Sequence, residues 1–502
     1  MNMSDIFIIG GGINGTAIAA DAASRGLSVT LCEAGDLGAG TSSASSKLIH
    51  GGLRYLELFE WRLVRKALIE REILMKRAPH LIQPLEFILP HEAHLRSAYL
   101  IRIGLFIYDH LAKRRYLPAS KQIQLQKELH GFYSQGLLPN FDKGFSYYDC
   151  LTDDARLVIL NALSAKENKA IILTRTQFIS AIKENNVWKI QVKDLITETI
   201  HYYFSKVLIN VAGPWVKEVN QLIISDTKFD IELVKGSHFV VPKLYEGDFA
   251  YILQNKDNRI VFAIPYQNQF TLIGTTDIIF KENLNNIKIS EAEIIYLCDL
   301  INQYFKKSIK KSDIQWSYSG VRCLQGSDVK NPSKISRDYE FFLENDNNCI
   351  LLTVIGGKLT THRILAKDAI NQLNDFFTHM KVSQTHMTFL PGGDIPNQDV
   401  AQFKQKFKKE FPWLAEAICE RYVNYYGTRA YLVLNQAKSL QDLGIEFGAG
   451  LFQKEVEYLM QYEWAQTIED ILWRRTKLGL FFSEEEKIKL QEFINIYQKV
   501  NN

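Results

Sequence analysis

The chain has 502 residues, 46% of them hydrophobic and 23% charged, with a net charge of +3. That length exceeds what one hydrophobic core serves, so two or three domains or subdomains are expected. The composition excludes long disordered segments, and the small net charge excludes wholesale nucleic-acid binding. Cys32, Cys150, Cys298, Cys323, Cys349 and Cys419 are scattered without C-x-x-C spacing, which fits a reducing compartment and no disulfide framework or zinc site.

The first residues, "MNMSDIFIIGGG", carry no basic region and do not read as a signal peptide. Ile6 to Ile9 form a short apolar strand, followed by glycines, a helix pattern ending near Arg25-Gly26, and a second strand "LSVTLCE" ending in Glu33. This is a βαβ unit with Gly10, Gly12 and Gly15 in G-x-G-x-x-G spacing. Gly10 permits a tight turn, Gly12 lets a pyrophosphate approach the backbone, and Gly15 lets helix and strand pack closely. The helix start, at Ile13 and Asn14, turns free N–H groups and partial positive charge toward the phosphates. Glu33, 18 residues after Gly15, is placed to accept hydrogen bonds from ribose hydroxyls, which favours FAD or NAD over NADP.

Farther along, "SSASSKLIHGGLRYLE" (42 to 57) crowds small hydroxyls, Lys47, His50, a glycine pair, Arg54 and Tyr55 into one segment. "AYLIRIGLFIYDHLAKRRYL" (98 to 117) reads as an apolar helix with a basic end, either lying in a lipid interface or buried. Nowhere do about 18 apolar residues run together without charge, so no membrane span is expected. The chain then returns to a strand, "KAIILTRTQF", a meander around "VWKIQVKD", and a buried strand in "KVLINVAGPW" whose Gly213 allows a second close backbone approach. This interrupted topology favours FAD over NAD.

Cations at strand ends or after glycines follow: Arg259 in "NRIVFAIPY", Arg322 in "SYSGVRCL" and Lys358 in "VIGGKLTTHR". With Arg54 they point to an anionic substrate, because phosphate suits fork-like guanidinium donors. Lys358, with the helix start near Leu359, is expected to stabilise negative charge on a reduced flavin. His50 and His238 ("KGSHFVV") are the candidate bases for a substrate hydroxyl. "FKQKFKKEF" (403 to 411) reads as a solvated helix face.

The motifs "IIGGGINGTAIAADAASRGLSVTLCEAGDL", "TSSASSKLIHGGLRYLE", "NVAGPWVK", "LVKGSHFVVP", "IGTTD", "YSGVR" and "GGKLTTHR" together resemble those of the bacterial aerobic FAD-dependent glycerol-3-phosphate dehydrogenases, over nearly the whole chain. The resemblance implies a Rossmann-like FAD domain of the glutathione-reductase and amino-acid-oxidase type, an antiparallel-sheet substrate domain and a C-terminal helical domain: α/β and α+β in class. The expected division is 1–85, 145–228 and 326–387 for FAD, 86–144 for a cap with the candidate membrane-facing helix, 229–325 for substrate, and 388–502 for the helical domain. It implies oxidation of sn-glycerol 3-phosphate to dihydroxyacetone phosphate, with electrons passed to membrane quinone by a homodimer held peripherally on the inner face of the cell membrane.

Position by position, the resemblance implies that Gly10, Gly12, Gly15 and Glu33 hold the ADP end. Thr41, Ser42, Ser46, Lys47 and Leu48 lie beside the flavin, with Gly213, Gly357, Lys358, Leu359 and Thr360. Arg54, Tyr55, Arg322 and Lys358 line the substrate pocket, with Arg259 and His238 assigned to it as well. His362 stands where the family pattern leads one to expect tyrosine. A related FAD oxidase using oxygen, a flavin-containing RNA-modifying protein and a non-catalytic flavin-binding protein are the competing readings.

Overall fold

The computed structural model describes residues 3–92, 96–126, 131–223, 229–257, 259–326 and 337–501. The N-terminal apolar run forms β1 (Met3–Ile9), whose Ile6, Phe7 and Ile8 are wholly buried because helices and strands cover both faces. The helix α1 (Ile13–Ser24) follows, then β2 (Val29–Cys32). The small side chains of "INGTAIAADAAS" let α1 press against the helices Asp154–Glu167 and His362–Asn371. Its one buried carboxylate, Asp21, is compensated by Arg25 at 2.6 Å and by the Ser383 hydroxyl at 2.5 Å.

One sheet places, side by side, the strands Tyr339–Asp346, Cys349–Gly356, Ile200–Asn210, β1, β2 and Ile171–Leu173. Its centre is parallel, with Ile6 beside both Val207 and Val29, and Ile209 beside Leu352. A hairpin, Thr176–Glu184 and Val187–Asp194, continues antiparallel from Ile200–Asn210. The segment "KAIILTRTQF", read from sequence as one strand, is two. The chain breaks at Arg175, at φ 50°, where its N–H donates to Gly35 O at 2.9 Å.

The other sheet is mainly antiparallel. It runs Ile278–Ile279, Ile231–Pro242, Phe270–Gly274, Ile260–Tyr266, Phe249–Gln254, Gln83–His91, Lys143–Leu151 and Leu48–Ile49, with Trp316–Gln325 also paired to Ile231–Pro242. Leu48–Ile49, and Lys143–Leu151 across the expected boundary at 144/145, thus join the second sheet rather than the nucleotide sheet. The expected boundaries at 228/229 and 325/326 adjoin residues 224–228 and 327–336, which lie outside the described residues.

A C-terminal helical unit contains the helices Val400–Glu410, Glu416–Tyr426, Gln453–Glu463 and Glu484–Asn501 around Phe407, Tyr422, Tyr426, Leu459, Leu472 and Ile494. In the first of them Phe403 and Phe407 face this core, Lys404 is half-buried and Lys406, Lys408 and Lys409 face out, Lys408 pairing with Glu416 at 2.5 Å. Among the described residues no helix is long and apolar enough to cross a membrane.

Candidate active site

A cavity of about 850 Å³ runs from the ends of the parallel strands to the open face of the second sheet. At its nucleotide end Glu33 accepts Gly11 N–H at 2.7 Å and Gly35 N–H at 2.8 Å, one on each carboxylate oxygen. Burial raises its pKa, against the pull of those N–H groups. Gly12 caps α1 without a side chain of its own, and Ser42 Oγ accepts the Ile13 N–H at 2.9 Å. Asn14 Nδ2 donates to Gly356 O at 3.1 Å, which ties α1 to the end of Cys349–Gly356 and leaves Asn14 Oδ1 buried without a partner among the described residues.

These residues fit FAD. The orphaned Asn14 Oδ1 is an acceptor for a ligand donor, the Glu33 carboxylate suits ribose hydroxyls, and a Cβ on Gly213 would enter open space at the cavity wall. Gly10, Gly12, Ile13, Asn14 and Glu33 would hold the ADP part. Thr41, Ser42, Ser46, Leu48, Gly213, Gly357, Leu359 and Thr360 line the remainder.

The opposite end is cationic. The glycine pair after His50 makes the turn that delivers Arg54 and Tyr55: Gly52 has φ 82°, and a Cβ there would lie 2.3 Å from the Tyr55 ring. Lys358 Nζ sits 3.7 Å from the centre of that ring. Burial lowers the Lys358 pKa. Burial alone would raise the Tyr55 hydroxyl, but Lys358, Arg337 and Arg322 outweigh it and hold its pKa below the ordinary value. Arg322 Nη1 lies 2.7 Å and Arg337 Nη2 3.3 Å from the same oxygen of Asp277, whose carboxyl these charges hold low despite its burial.

His50 borders this pole. Its backbone N–H donates to Thr360 Oγ1 at 3.1 Å, and that hydroxyl donates to His50 O at 3.2 Å, so strand Leu48–Ile49 and the Lys358 turn move together. Burial, then Lys358, Arg322 and Arg71, push the imidazole pKa down to about 3. The ring is therefore neutral and a proton acceptor at neutral pH.

Some expected residues are not brought to the cavity. Gly15 lies beneath it, where helix meets strand. Lys47 is buried beneath the flavin loop, its Nζ 2.7 Å from Asp154 and 3.1 Å from Ser43 O. His238 stands behind Ser46, bonded to its Oγ at 2.8 Å and stacked on Tyr318, and touches the cavity only through that serine. Arg259 is corrected most plainly. Its guanidinium is held by Asp257 at 2.6 Å and lies 4.0 Å over the Tyr296 ring, so the acid two residues before it takes the charge that was assigned to the pocket. His362 is buried with Nδ1 2.7 Å from Leu359 O, so its ring supports the Lys358 turn from below.

Two residues were missed. Asp277 closes the "IGTTD" motif, so its signal was present but unassigned. Arg337 stands in "SKISRDYE", where nothing in local pattern marks it.

The chain matches the family model of the FAD dependent oxidoreductases over residues 5–368, and that of the C-terminal domain of alpha-glycerophosphate oxidase over residues 383–502. It is 47% identical over 492 residues to a glycerol-3-phosphate dehydrogenase of Pseudomonas aeruginosa, covering 98% of this chain and 94% of that protein. It is 44% identical to a D-erythritol 1-phosphate dehydrogenase of Brucella abortus, covering 98% and 97%. The solved glycerol-3-phosphate dehydrogenase of Bacillus halodurans, complexed with FAD, superposes with a TM-score of 0.74 at 25% identity, covering 98% of this chain and 94% of that one. Sequence, sheet topology and the nucleotide end of the cavity agree, and the chain belongs to the family of FAD-dependent glycerol-3-phosphate dehydrogenases.

Proposed function

We propose that the protein oxidises sn-glycerol 3-phosphate to dihydroxyacetone phosphate. The observation that carries this reading is the convergence of Arg54, Arg322, Arg337 and Lys358 at the far end of a cavity whose near end suits FAD. FAD, when bound, supplies the hydride acceptor for the substrate C2–H. The guanidinium groups hold the phosphate dianion as fork-like donors and fix the position of C2. His50 Nδ1 or Nε2 takes the C2-hydroxyl proton, and the dianion beside it offsets the repulsion from Lys358 and Arg322, raising its basicity above the free-site value. Ser46, set by His238, and Tyr55, with its acidified hydroxyl, are the donors available to the substrate oxygens.

The test is an anaerobic titration of the yellow protein. We expect sn-glycerol 3-phosphate to bleach the flavin absorbance stoichiometrically; no bleaching overturns the reading. The Brucella abortus relative favours a second substrate of the same chemistry, D-erythritol 1-phosphate, which carries the same phosphate and a neighbouring secondary hydroxyl. A higher kcat/KM for that compound decides for it. Peroxide release in air would place the protein with the oxidases instead.

We infer that electrons pass on to membrane quinone and that a homodimer rests on the inner face of the cell membrane. What supports surface attachment is the helix Ala98–His110. It buries Ile101, Leu105 and Tyr108 but leaves Tyr99 74%, Leu100 64% and Phe106 56% exposed, ahead of Lys113 and Arg115. Replacing Leu100 and Phe106 together by Glu is expected to abolish flotation with anionic liposomes while leaving soluble turnover intact. Undiminished flotation would remove this helix from the contact. On the same footing we propose the six-segment division of the chain, with the strands noted above shared between sheets.

A further inference from the structure

Between Glu33 and the flavin-lining Thr41 the chain makes the loop 34–40. Its Ala34, Gly35, Gly38, Ala39 and Gly40 line the cavity, while Asp36 turns away from it and is buried. Among the described residues, no side chain of the nucleotide domain pairs with that carboxylate. Its partners come from the C-terminal unit, outside the oxidoreductase family model that ends at residue 368. Arg475 binds both oxygens of Asp36, at 2.7 and 2.8 Å, and Arg474 Nε reaches one at 2.6 Å. Against its burial, Arg475 and then Arg474 hold the Asp36 carboxyl down to about 2.

The same segment makes a second attachment. Lys477, buried, lies 3.3 Å from Asp153, next to Asp154, which accepts Ser45 N–H at 3.1 Å and Ser45 Oγ–H at 2.8 Å. The loop 34–40 therefore rests directly on Arg474 and Arg475, and Lys477 reaches the next loop through Asp153 and the adjoining Asp154, which Lys47 also holds at 2.7 Å. A third link, Arg175 to Asp470 at 2.7 Å, ties that segment to the residue whose N–H holds Gly35 O.

We propose that Arg474 and Arg475 are positioning residues for FAD: acting through Asp36, they set the loop whose Gly35 N–H holds the Glu33 carboxylate, although none of the three side chains touches the cofactor cavity. The C-terminal unit then has a defined task, to hold the cofactor loops in their binding geometry. This role rests on FAD being the cofactor, not on which polyol phosphate has its hydroxyl oxidised, and testing it needs no substrate.

The experiment measures the FAD dissociation constant, the visible circular dichroism of bound FAD and the melting temperature of the full-length holoprotein. It compares Asp36→Asn, Arg475→Met and Arg475→Lys with a control, Arg421→Met, which breaks a pair with the buried Glu455 inside the C-terminal unit. Asp36→Asn and Arg475→Met are expected to weaken FAD binding at least tenfold and to change the dichroism of retained FAD, with Arg475→Lys in between. Arg421→Met is expected to lower the melting temperature with FAD affinity unchanged. If the Asp36 and Arg475 variants behave as Arg421→Met does, the role is merely structural and the proposal fails. Should Arg475→Met not fold, Arg474→Met, at a half-buried position, decides in the same way: an unchanged FAD constant overturns it.

Discussion

Arg322→Ala is expected to lower kcat/KM for sn-glycerol 3-phosphate about a hundredfold, equivalent to about 3 kcal/mol, with FAD still bound. The side chain is the open arm of a pair clamped by Asp277, with Nη1 2.7 Å from that carboxylate and the rest of the guanidinium turned to the cavity. Removing it deletes a charge-assisted bond to phosphate, worth about 1.5–3 kcal/mol. It also leaves the Asp277 charge, now balanced by Arg337 at 3.3 Å, facing an incoming dianion. Because the phosphate fixes C2, kcat should fall as KM rises. Steady-state kinetics on the purified protein check this, with Arg259→Ala as the comparison: held by Asp257 and outside the cavity, Arg259 should change kcat/KM less than twofold. Equal kinetics for Arg322→Ala and the parent would take Arg322 out of the site.

Gly15→Ala should yield a protein without FAD. A Cβ at Gly15 would lie 1.9 Å from Gly10 O and 3.1 Å from Gly10 C, both backbone atoms that no rotamer change can move. To admit it, α1 must leave the end of β1, which opens the Gly10 turn and swings the Ile13 N–H away from Ser42. Overpacking of this kind costs about 1–3 kcal/mol, and here it falls on the geometry that receives the phosphates. Flavin absorbance per protein and the melting temperature are the readouts. Gly26→Ala makes the contrast: φ is 93° but nothing lies within 4 Å, so strain of about 1 kcal/mol should lower stability and keep the cofactor. A fully yellow Gly15→Ala protein would contradict the close packing of helix on strand.

Much of the nucleotide half was legible in the sequence because its determinants are local. Gly10 and Gly12 lie on the turn and Gly15 in the first turn of α1, α1 ends two residues before Gly26 as its pattern requires, and Glu33 directly follows the strand after which an acid was expected. The substrate half was legible only in part. Arg54 and Tyr55 are delivered by their own glycine turn, and Lys358 by the one preceding it. Arg259, by contrast, satisfied the same local rule of a cation at a strand start and was captured by Asp257 two residues earlier. Cation placement after a turn cannot be read without knowing which carboxylate competes for it.

What the sequence by itself determined is therefore the βαβ cofactor frame, the oxidoreductase class and the anionic character of the ligand, since glycine spacing, strand hydrophobicity and residue charge act over a few residues. Only the tertiary structure decided which charges share a site. Asp277 sits between Arg322 and Arg337 because strand Trp316–Gln325 pairs with Ile231–Pro242, while Arg337 arrives on the approach to another sheet. Asp36 meets Arg475 across 439 positions of chain, and His238 meets Ser46 across 192. Coulomb attraction and hydrogen bonding depend on distance in space, and in a chain of this length that distance is set by how sheets and domains pack, not by spacing along the sequence.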